Sequence, residues 1–106
     1  MKIEPDTVSE KSINYWIIEN HTNTDINVGF PFSLEYFDEN SWKPLRLTFI
    51  EVDDTQIVGN SFIRQINLFF FIQKYNNGKK GKYRISKYYL LPGIGEFNLC
   101  AEFEAI

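Results

Sequence analysis

The sequence predicts an all-β protein folded as a small antiparallel sandwich of about seven strands. Between Asp25 and Phe37, apolar residues take every second position, the period of a strand with one face on a core and the other in water. Aromatic residues make up 17% of the chain and alanine is rare, which favours strands over a helical bundle. Turn signals recur about every 8 to 12 residues, which is typical of a Greek-key sandwich or a small barrel, and we favour the sandwich.

The first eleven residues are mostly polar and include Pro5, as in many mobile chain termini. We therefore assign residues 1–11 to a flexible N-terminal arm, with at most a short edge strand near Val8. The sandwich domain is expected to cover residues 12–106. A chain of 106 residues is close to the commonest domain size, so we expect a single hydrophobic core.

A β-hairpin is predicted for residues 12–37. Its first strand, Ser12–Asn20, is apolar on both faces, and we expect Trp16 and Ile18 to point into the core. Residues 21–25 form the turn, because Asn, Asp and Thr side chains can satisfy local backbone groups. The second strand places six apolar side chains on one face: Ile26, Val28, Phe30, Phe32, Leu34 and Tyr36.

The middle of the chain predicts two further strands. Residues 42–48 form a short strand interrupted by Pro44, which lacks a donor for the ladder and therefore belongs at a sheet edge. A long acidic connection follows, as far as Gly59. Residues 62–72 then alternate again, so we expect a strand there and no helix.

Two strands are predicted at the C-terminal end. Residues 74–81 form a turn rich in Asn, Gly and Lys, and a strand over 83–89 follows it. After a second turn at 91–95, the last strand covers 96–105. Its apolar residues share one face and its carboxylates keep the other face in water.

Three segments carry a family resemblance: Glu19–Thr22, Val28–Tyr36 with Trp42 after it, and Gly81–Ile85. Their order is similar to that in a family of bacterial immunoglobulin-like domains found in small exported proteins and lipoproteins. The resemblance covers residues 12–90. It implies an immunoglobulin-like sandwich and a place in the cell envelope, with no catalytic residues.

Tyr83 opens the penultimate predicted strand after a glycine-rich turn. In immunoglobulin-like domains a tyrosine corner occupies this place, and its hydroxyl group bonds an upstream backbone group. The turn over 76–81 departs from the family pattern, in which an apolar-Pro-Gly sequence is expected. This departure affects the predicted start of the strand that follows the turn more than it affects the predicted fold.

Composition argues against several classes of function. The net charge of −3 and the isoelectric point near 5.1 disfavour nucleic acid and anionic membrane surfaces as partners of the whole molecule. No apolar run approaches the roughly 20 residues of a membrane helix. One cysteine and one histidine cannot form an internal disulfide or a four-ligand zinc site of the usual kind.

Few side chains could carry chemistry. Cys100 and His21 are the only candidates for nucleophilic catalysis, and we expect a structural thiol and a turn histidine instead. Asp38 and Glu39 are two turn carboxylates, which fit solvated charges better than a general acid and base. An acidic loop could hold calcium but lacks the spacing of a known calcium loop: Glu51, Asp53 and Asp54.

One segment of the chain is strongly basic. Residues 74–87 hold six lysines and arginines and no acid, with tyrosines between them, while the rest of the chain holds five positive and fourteen negative charges. A solubilising turn is the simplest interpretation, followed by a surface for an acidic protein or polysaccharide. The side chains expected to contact a partner, if exposed, are Trp42, Tyr75, Lys79, Lys80 and Tyr88.

The sequence therefore predicts a non-enzymatic immunoglobulin-like module of the bacterial cell envelope, which binds another protein or acts as a structural spacer. We expect no cofactor and no metal, and contact with a membrane only through a lipid anchor on a removed or upstream segment. The alternative is a carbohydrate-binding accessory domain whose exposed aromatic rings stack on a surface glycan. The resemblance favours an extracytoplasmic location, and a native start at Met1 would favour the cytoplasm.

Overall fold

Two β-sheets and one short helix make up the computed structural model, which describes residues 1–22, 25–29, 32–47, 55–58, 61–91 and 93–106. The elements in chain order are β1 (Lys2–Glu4), β2 (Thr7–Val8), β3 (Asn14–Glu19), β4 (Ile26–Gly29), β5 (Ser33–Asp38), β6 (Ser41–Leu45), β7 (Thr55–Val58), β8 (Ser61–Ile66), α1 (Leu68–Asn76), β9 (Gly81–Leu91) and β10 (Gly95–Ala105). The small sheet has the order β1-β3-β8, and the large sheet has the order β2-β10-β9-β4-β7, with β5 also paired to β9 and β6 paired to β5. The predicted all-β sandwich is confirmed.

Strand β9 is the centre of the large sheet. It pairs antiparallel with β10 along its whole length, from Gly81 opposite Ala105 to Leu91 opposite Gly95. Its other side pairs with β5 and, further along, with β4. The predicted strand over 25–37 is therefore divided into two strands that share one neighbour. The side chains of Ile26 and Val28, and Phe30 as a whole, lie outside the described part.

The core lies between the two sheets. Leu34 and Tyr83 are fully buried there, as are Trp16 and Ile18, which the sequence placed inside. Phe32 and Tyr36 are partly buried and pack against the same core. Burial of one large aromatic or aliphatic side chain contributes roughly 1.5–3 kcal/mol, so this set dominates the stability of the fold.

The N-terminal arm predicted for residues 1–11 is instead part of the sandwich. Ile3 in β1 pairs opposite Trp16 in the small sheet, and Val8 in β2 pairs opposite Ala105 in the large sheet. Both side chains are buried. One apolar residue in each short strand is enough to dock the segment, and its otherwise polar composition hid this from the sequence analysis.

Between β1 and β2 the chain passes from the small sheet to the large sheet, and one side chain holds this connection in place. The Asn14 amide nitrogen donates to the backbone oxygens of Pro5 (2.8 Å) and Thr7 (2.9 Å), and Asn14 itself is buried. These two bonds satisfy carbonyl groups that the short strands leave without ladder partners. The boundary between arm and domain at residue 12 was therefore wrong.

The prediction of one strand over 62–72 without a helix was also wrong. Strand β8 ends at Ile66, and the Asn67 side chain then accepts a bond from the Phe70 backbone nitrogen (3.2 Å), which caps α1. Leu68 and Ile72, four residues apart, are buried on one helix face. Apolar residues at 68, 70 and 72 alternate as they do in a strand. The residues at 68 and 72 are also four positions apart, which is the spacing of one helix face.

The hairpin predicted for residues 12–37 is wrong, because β3 lies in the small sheet while β4 and β5 lie in the large sheet. The C-terminal strands and the strand that contains Pro44 agree with the structure in place, with shifted ends. The C-terminal hairpin is present, and both of its strands are eleven residues long. Pro44 lies in β6, which pairs with β5 and with no other described strand, in agreement with an edge position. The long connection predicted before Gly59 contains β7, which pairs with β4.

Candidate functional site

Strand alternation sends a distinct set of side chains to the outer face of the large sheet. Leu34 of β5 and Tyr83 and Ile85 of β9 point into the core, so their neighbours in sequence point outward. The register sets Glu35 opposite Arg84 and Phe37 opposite Trp42. We call the following five residues the aromatic–cation cluster: Glu35, Phe37, Trp42, Lys82 and Arg84.

Arg84 is the centre of this cluster. Its Nε and Nη2 atoms donate to Glu35 Oε1 at 3.0 and 2.8 Å. Its guanidinium carbon lies 4.4 Å from the centre of the Trp42 ring. The side chains of Arg84 and Glu35 are only 29% and 23% exposed, so the ion pair is shielded more than a typical surface pair. Arg84 is thus held by a charge and a ring at once.

The edge of the cluster is formed by Phe37 and Lys82. Phe37 lies 5.1 Å from Trp42 between ring centres, with an edge-to-face tilt of 62°. The Lys82 ammonium lies 5.8 Å from the Phe37 ring centre and 3.6 Å from the Glu102 carboxylate on β10. The cluster therefore crosses three adjacent strands, β6, β5 and β9, contacts Glu102 on β10, and combines apolar rings with both signs of charge.

Two tyrosines fix the loop between α1 and β9. The buried Tyr83 hydroxyl donates to the Lys79 backbone oxygen (2.6 Å) and accepts from the Asn76 side chain (2.8 Å). The Tyr36 hydroxyl donates to the Lys80 backbone oxygen (3.1 Å). The predicted tyrosine corner at Tyr83 is confirmed. The two bonds hold consecutive carbonyl groups, so the exposed Lys79 and Lys80 side chains project from an anchored backbone.

The glycine that follows this loop is required by its surroundings. Gly81 has φ +134°, a conformation that side chains with a Cβ rarely adopt. A Cβ at this position would also lie 3.2 Å from the ring of Tyr36. The close approach brings Tyr36 within reach of the Lys80 carbonyl group, so Gly81 and Tyr36 act together.

The comparison with protein families agrees with this architecture. A model of the bacterial Ig-like domain family matches residues 1–104. The chain belongs to this family. No curated protein and no solved structure matched the chain significantly. The match begins at residue 1, so it includes the N-terminal strands that the structure packs into the sandwich.

The Ig-like domain separates the side chains that the sequence singled out as partner contacts. Trp42 and Tyr88 both lie on the outer face of the large sheet, and Tyr88 is 42% exposed. Tyr75 lies on α1, stacked on Phe71 at 6.3 Å. Lys79 and Lys80 lie in the anchored loop. Trp42 and Tyr88 thus share a surface, while a partner role for any of the five remains a prediction.

His21 and Cys100 do not form a catalytic pair in this Ig-like domain. The His21 Nε2 atom lies 3.2 Å from the Glu19 carboxylate, and its side chain is 83% exposed. The Cys100 sulfur lies 3.3 Å from the Ser86 hydroxyl oxygen on the outer face of the large sheet. The two side chains line different clefts and make no hydrogen bond with each other, so the pairing considered from the sequence is not formed.

The carboxylates considered as acid–base or metal groups fall in two places. Asp38 and Glu39 lie 3.3 and 3.7 Å from the Lys43 ammonium, and the hydrogen bond to Asp38 is the main cause that raises the pKa of Lys43. The acidic segment with Glu51, Asp53 and Asp54 lies outside the described residues. Among the residues that are described, no three potential metal ligands cluster, and no helix is long and apolar enough to cross a membrane.

One buried lysine was not expected from the sequence. Lys87 is 3% exposed, and its ammonium nitrogen lies 4.0 Å from the centre of the Trp16 ring. A ring face attracts a cation, and the attraction grows when water is excluded. The signal was present, since Lys87 has the same parity as Tyr83 and Ile85 on β9 and therefore points inward.

Proposed function

We propose that this Ig-like domain is a non-enzymatic protein-interaction module of the bacterial cell envelope, which binds a partner protein through the outer face of the large sheet. The observation that carries the proposal is the aromatic–cation cluster. Tryptophan and arginine are the residues most enriched among those that dominate binding energy at protein interfaces. Here they lie in contact on an exposed sheet face, and Tyr88 and Leu90 are exposed on the same face.

The cluster is arranged before any partner arrives. Arg84 is fixed between Glu35 and Trp42, so it loses little side-chain freedom when a partner covers it. A carboxylate or backbone carbonyl group of the partner could use the remaining donors of the guanidinium group. Preorganisation of this kind strengthens binding without any additional contact area.

A protein partner fits this face better than a glycan. One face of the Trp42 ring is covered by Arg84, and Tyr75 lies on α1 away from the sheet. Within the part of the chain that the structure describes, these two rings therefore do not form one open platform on which sugar rings could stack. The mixture of rings, a cation and carboxylates is instead typical of a protein interface.

The binding test uses labelled domain on intact cells and isolated envelopes of the producing bacterium. We expect saturable binding that is lost when the envelopes are treated with protease. Trp42→Ala should weaken the binding by about tenfold or more, because truncation of such an anchor removes about 2 kcal/mol or more. Ile63→Ala is the matched control, since Ile63 is a 62% exposed apolar residue on the small sheet.

Two outcomes would contradict this proposal. Binding that survives protease but is lost after periodate oxidation of sugars would support the carbohydrate alternative. Equal binding by the wild type and Trp42→Ala would remove the outer face from the interface. Thermal unfolding of both variants checks that the substitution has not altered the fold.

The envelope location is proposed from family membership, since bacterial Ig-like domains are often surface-associated. Fractionation of cells that express the natural reading frame tests it directly. We expect the protein in the envelope or medium, and degradation by protease added to intact cells. Recovery in the cytoplasmic fraction with full protection from protease would contradict the proposal.

A further inference from the structure

Strand β10 has an edge that is only partly paired. Strand β2 pairs with it at Glu104 and Ala105, while the eleven-residue strand begins at Gly95. Upstream of Glu104, β9 pairs with one side of β10, and no strand in the described ranges pairs with the other side. The open part of this edge therefore covers residues 95–103.

The direction of the free backbone groups follows from two hydrogen bonds. The backbone nitrogens of Glu104 and Ile106 donate to Asp6 (2.8 Å) and Val8 (3.0 Å), so even-numbered residues point away from β9. Because the direction alternates along a strand, the N–H and C=O groups of four further residues face the open edge. These residues are Glu96, Asn98, Cys100 and Glu102.

A cleft lies beside part of this edge. It has a volume of about 640 Å³ and is lined by residues 1–6 on one side and by residues 100–102 on the other. Strand β1 borders the cleft but pairs with β3 in the small sheet, not with β10. Cα atoms of β1 lie within 8 Å of β10, less than two strand spacings of about 4.8 Å, so an added strand would have to shift β1 where the two strands face each other.

The surroundings of the edge are acidic. Five carboxylates lie on or beside it, against two ammonium groups, Lys2 and Lys82, which already lie 3.4 and 3.6 Å from Glu4 and Glu102. No described cation lies within ion-pair distance of the other three carboxylates. The five are Glu4, Asp6, Glu96, Glu102 and Glu104.

We propose that the open edge of β10 accepts an extended basic segment of a partner protein as an additional strand. Backbone groups of residues 96–102 would supply the pairing, and lysine or arginine side chains at alternate positions of the segment would lie over the carboxylates. This mode uses the backbone of the edge, so it does not rest on the aromatic–cation cluster of the proposed function.

The charges on the edge argue against a second copy of the chain as the occupant. In an antiparallel pairing about a two-fold axis at residue 99, Glu96 would lie opposite Glu102 of the second copy. An axis at residue 100 would set Glu96 opposite Glu104. Like charges directly opposite on one sheet face are destabilising, whereas a basic strand would meet the same positions favourably.

Synthetic peptides test this proposal on the intact chain. The probe is a capped nine-residue peptide with alternating Lys and Val, compared with the same peptide carrying Glu in place of Lys. A third peptide keeps the lysines but has methylated backbone nitrogens on the pairing side. We expect saturable binding of the first peptide, with slowed amide exchange at Asn98, Cys100 and Glu102. The other two peptides should bind at least about tenfold more weakly than the first.

A proline variant provides a second arm of the test. Asn98→Pro removes a donor that points away from β9, so the β9–β10 ladder should remain and peptide binding should fall by about tenfold. Glu10→Gln, an exposed carboxylate away from the cleft, and Trp42→Ala should leave peptide binding unchanged. Exchange protection of the β9 amides shows whether the proline variant is folded.

Several results would overturn the proposal. These are no binding of the lysine peptide, equal binding of the glutamate or methylated peptide, or protection of amides elsewhere in the chain. Concentration-dependent dimerisation blocked by Asn98→Pro would show that a second copy occupies the edge instead. Loss of peptide binding in Trp42→Ala would mean that the outer face, and not the edge, holds the peptide.

Discussion

Two tyrosine hydroxyl groups hold the loop before β9, and they differ in their surroundings. Tyr83 is completely buried and both donates and accepts a hydrogen bond, whereas Tyr36 makes one bond near solvent. A buried polar group that loses its partner costs more than an exposed one, because water cannot replace the bond. The same hydroxyl chemistry should therefore contribute different amounts to stability at the two positions.

Replacement of Tyr83 by Phe should lower the free energy of unfolding by about 1–3 kcal/mol, because the substitution leaves Asn76 and the Lys79 carbonyl group without this partner. Tyr36→Phe, the matched control, should cost less than about 1 kcal/mol. Urea unfolding of both variants measures the difference. Equal losses would show that burial of the tyrosine corner adds nothing.

Stability should also depend on pH through Tyr83. Burial is the main cause that raises the pKa of this hydroxyl above its ordinary value of 10.0, and the hydrogen bond from Asn76 acts in the opposite direction. The folded state thus holds the proton more tightly than the unfolded state. Its contribution is complete below pH 10 and is lost as the pH rises through the raised pKa. The decline between pH 9 and 12 should be shallower for Tyr83→Phe than for the wild type.

Among the elements, α1 shows how a short helix can form inside a strand-rich sequence. Asn67 caps its first turn, and Asn77, with φ 53°, ends it in the left-handed conformation. A run of three phenylalanines fits a buried strand as readily as a helix face, so periodicity alone could not decide. The capping Asn67 and the Asn77-Gly78 pair after the helix are signals that could have identified it but were not used.

Loss of this cap should be measurable. Asn67→Ala should destabilise the domain by about 0.5–2 kcal/mol, because the Phe70 backbone nitrogen loses its acceptor. Asn67→Ser can accept the same bond and should remain close to the wild type. Chemical unfolding monitored by tryptophan fluorescence compares the three proteins. An alanine variant as stable as the serine variant would exclude a role for the cap.

The sequence was most informative where one face of a strand is buried and the other is wet. Parity alone located Leu34, Tyr83 and Phe103 in the core, and Pro44 marked the strand of Trp42 as an edge strand. It could not bring Arg84 over Trp42, because that contact depends on the order β6-β5-β9, which links residues more than forty positions apart. Loop closure and strand order are long-range properties that local patterns do not encode.

At the scale of the whole molecule, the N-terminal segment joins the two sheets. Ile3 is buried against the small sheet and Val8 against the large sheet. We expect Ile3→Ala and Val8→Ala each to cost roughly 1–3 kcal/mol, since each removes buried apolar atoms. Ile13→Ala is the control, because Ile13 is 59% exposed.

Thermal unfolding of the three variants measures these losses. Full stability of the chain without the Ile3 and Val8 side chains would show that residues 1–11 are a dispensable arm. Deletion of residues 1–8 should have the largest effect, because it removes both buried residues and leaves the Glu104 and Ile106 amides without their acceptors.

The pairing of Val8 with Ala105 also sets the order of events during synthesis. A ribosome releases the first strand segment long before the last one, so β2 has no partner until nearly the whole domain has emerged. The growing chain must therefore keep Val8 and its neighbours available, and the sandwich can close only when β10 arrives. Nascent chains that stop short of residue 95 would remain open to proteases and chaperones, however complete their hairpins are.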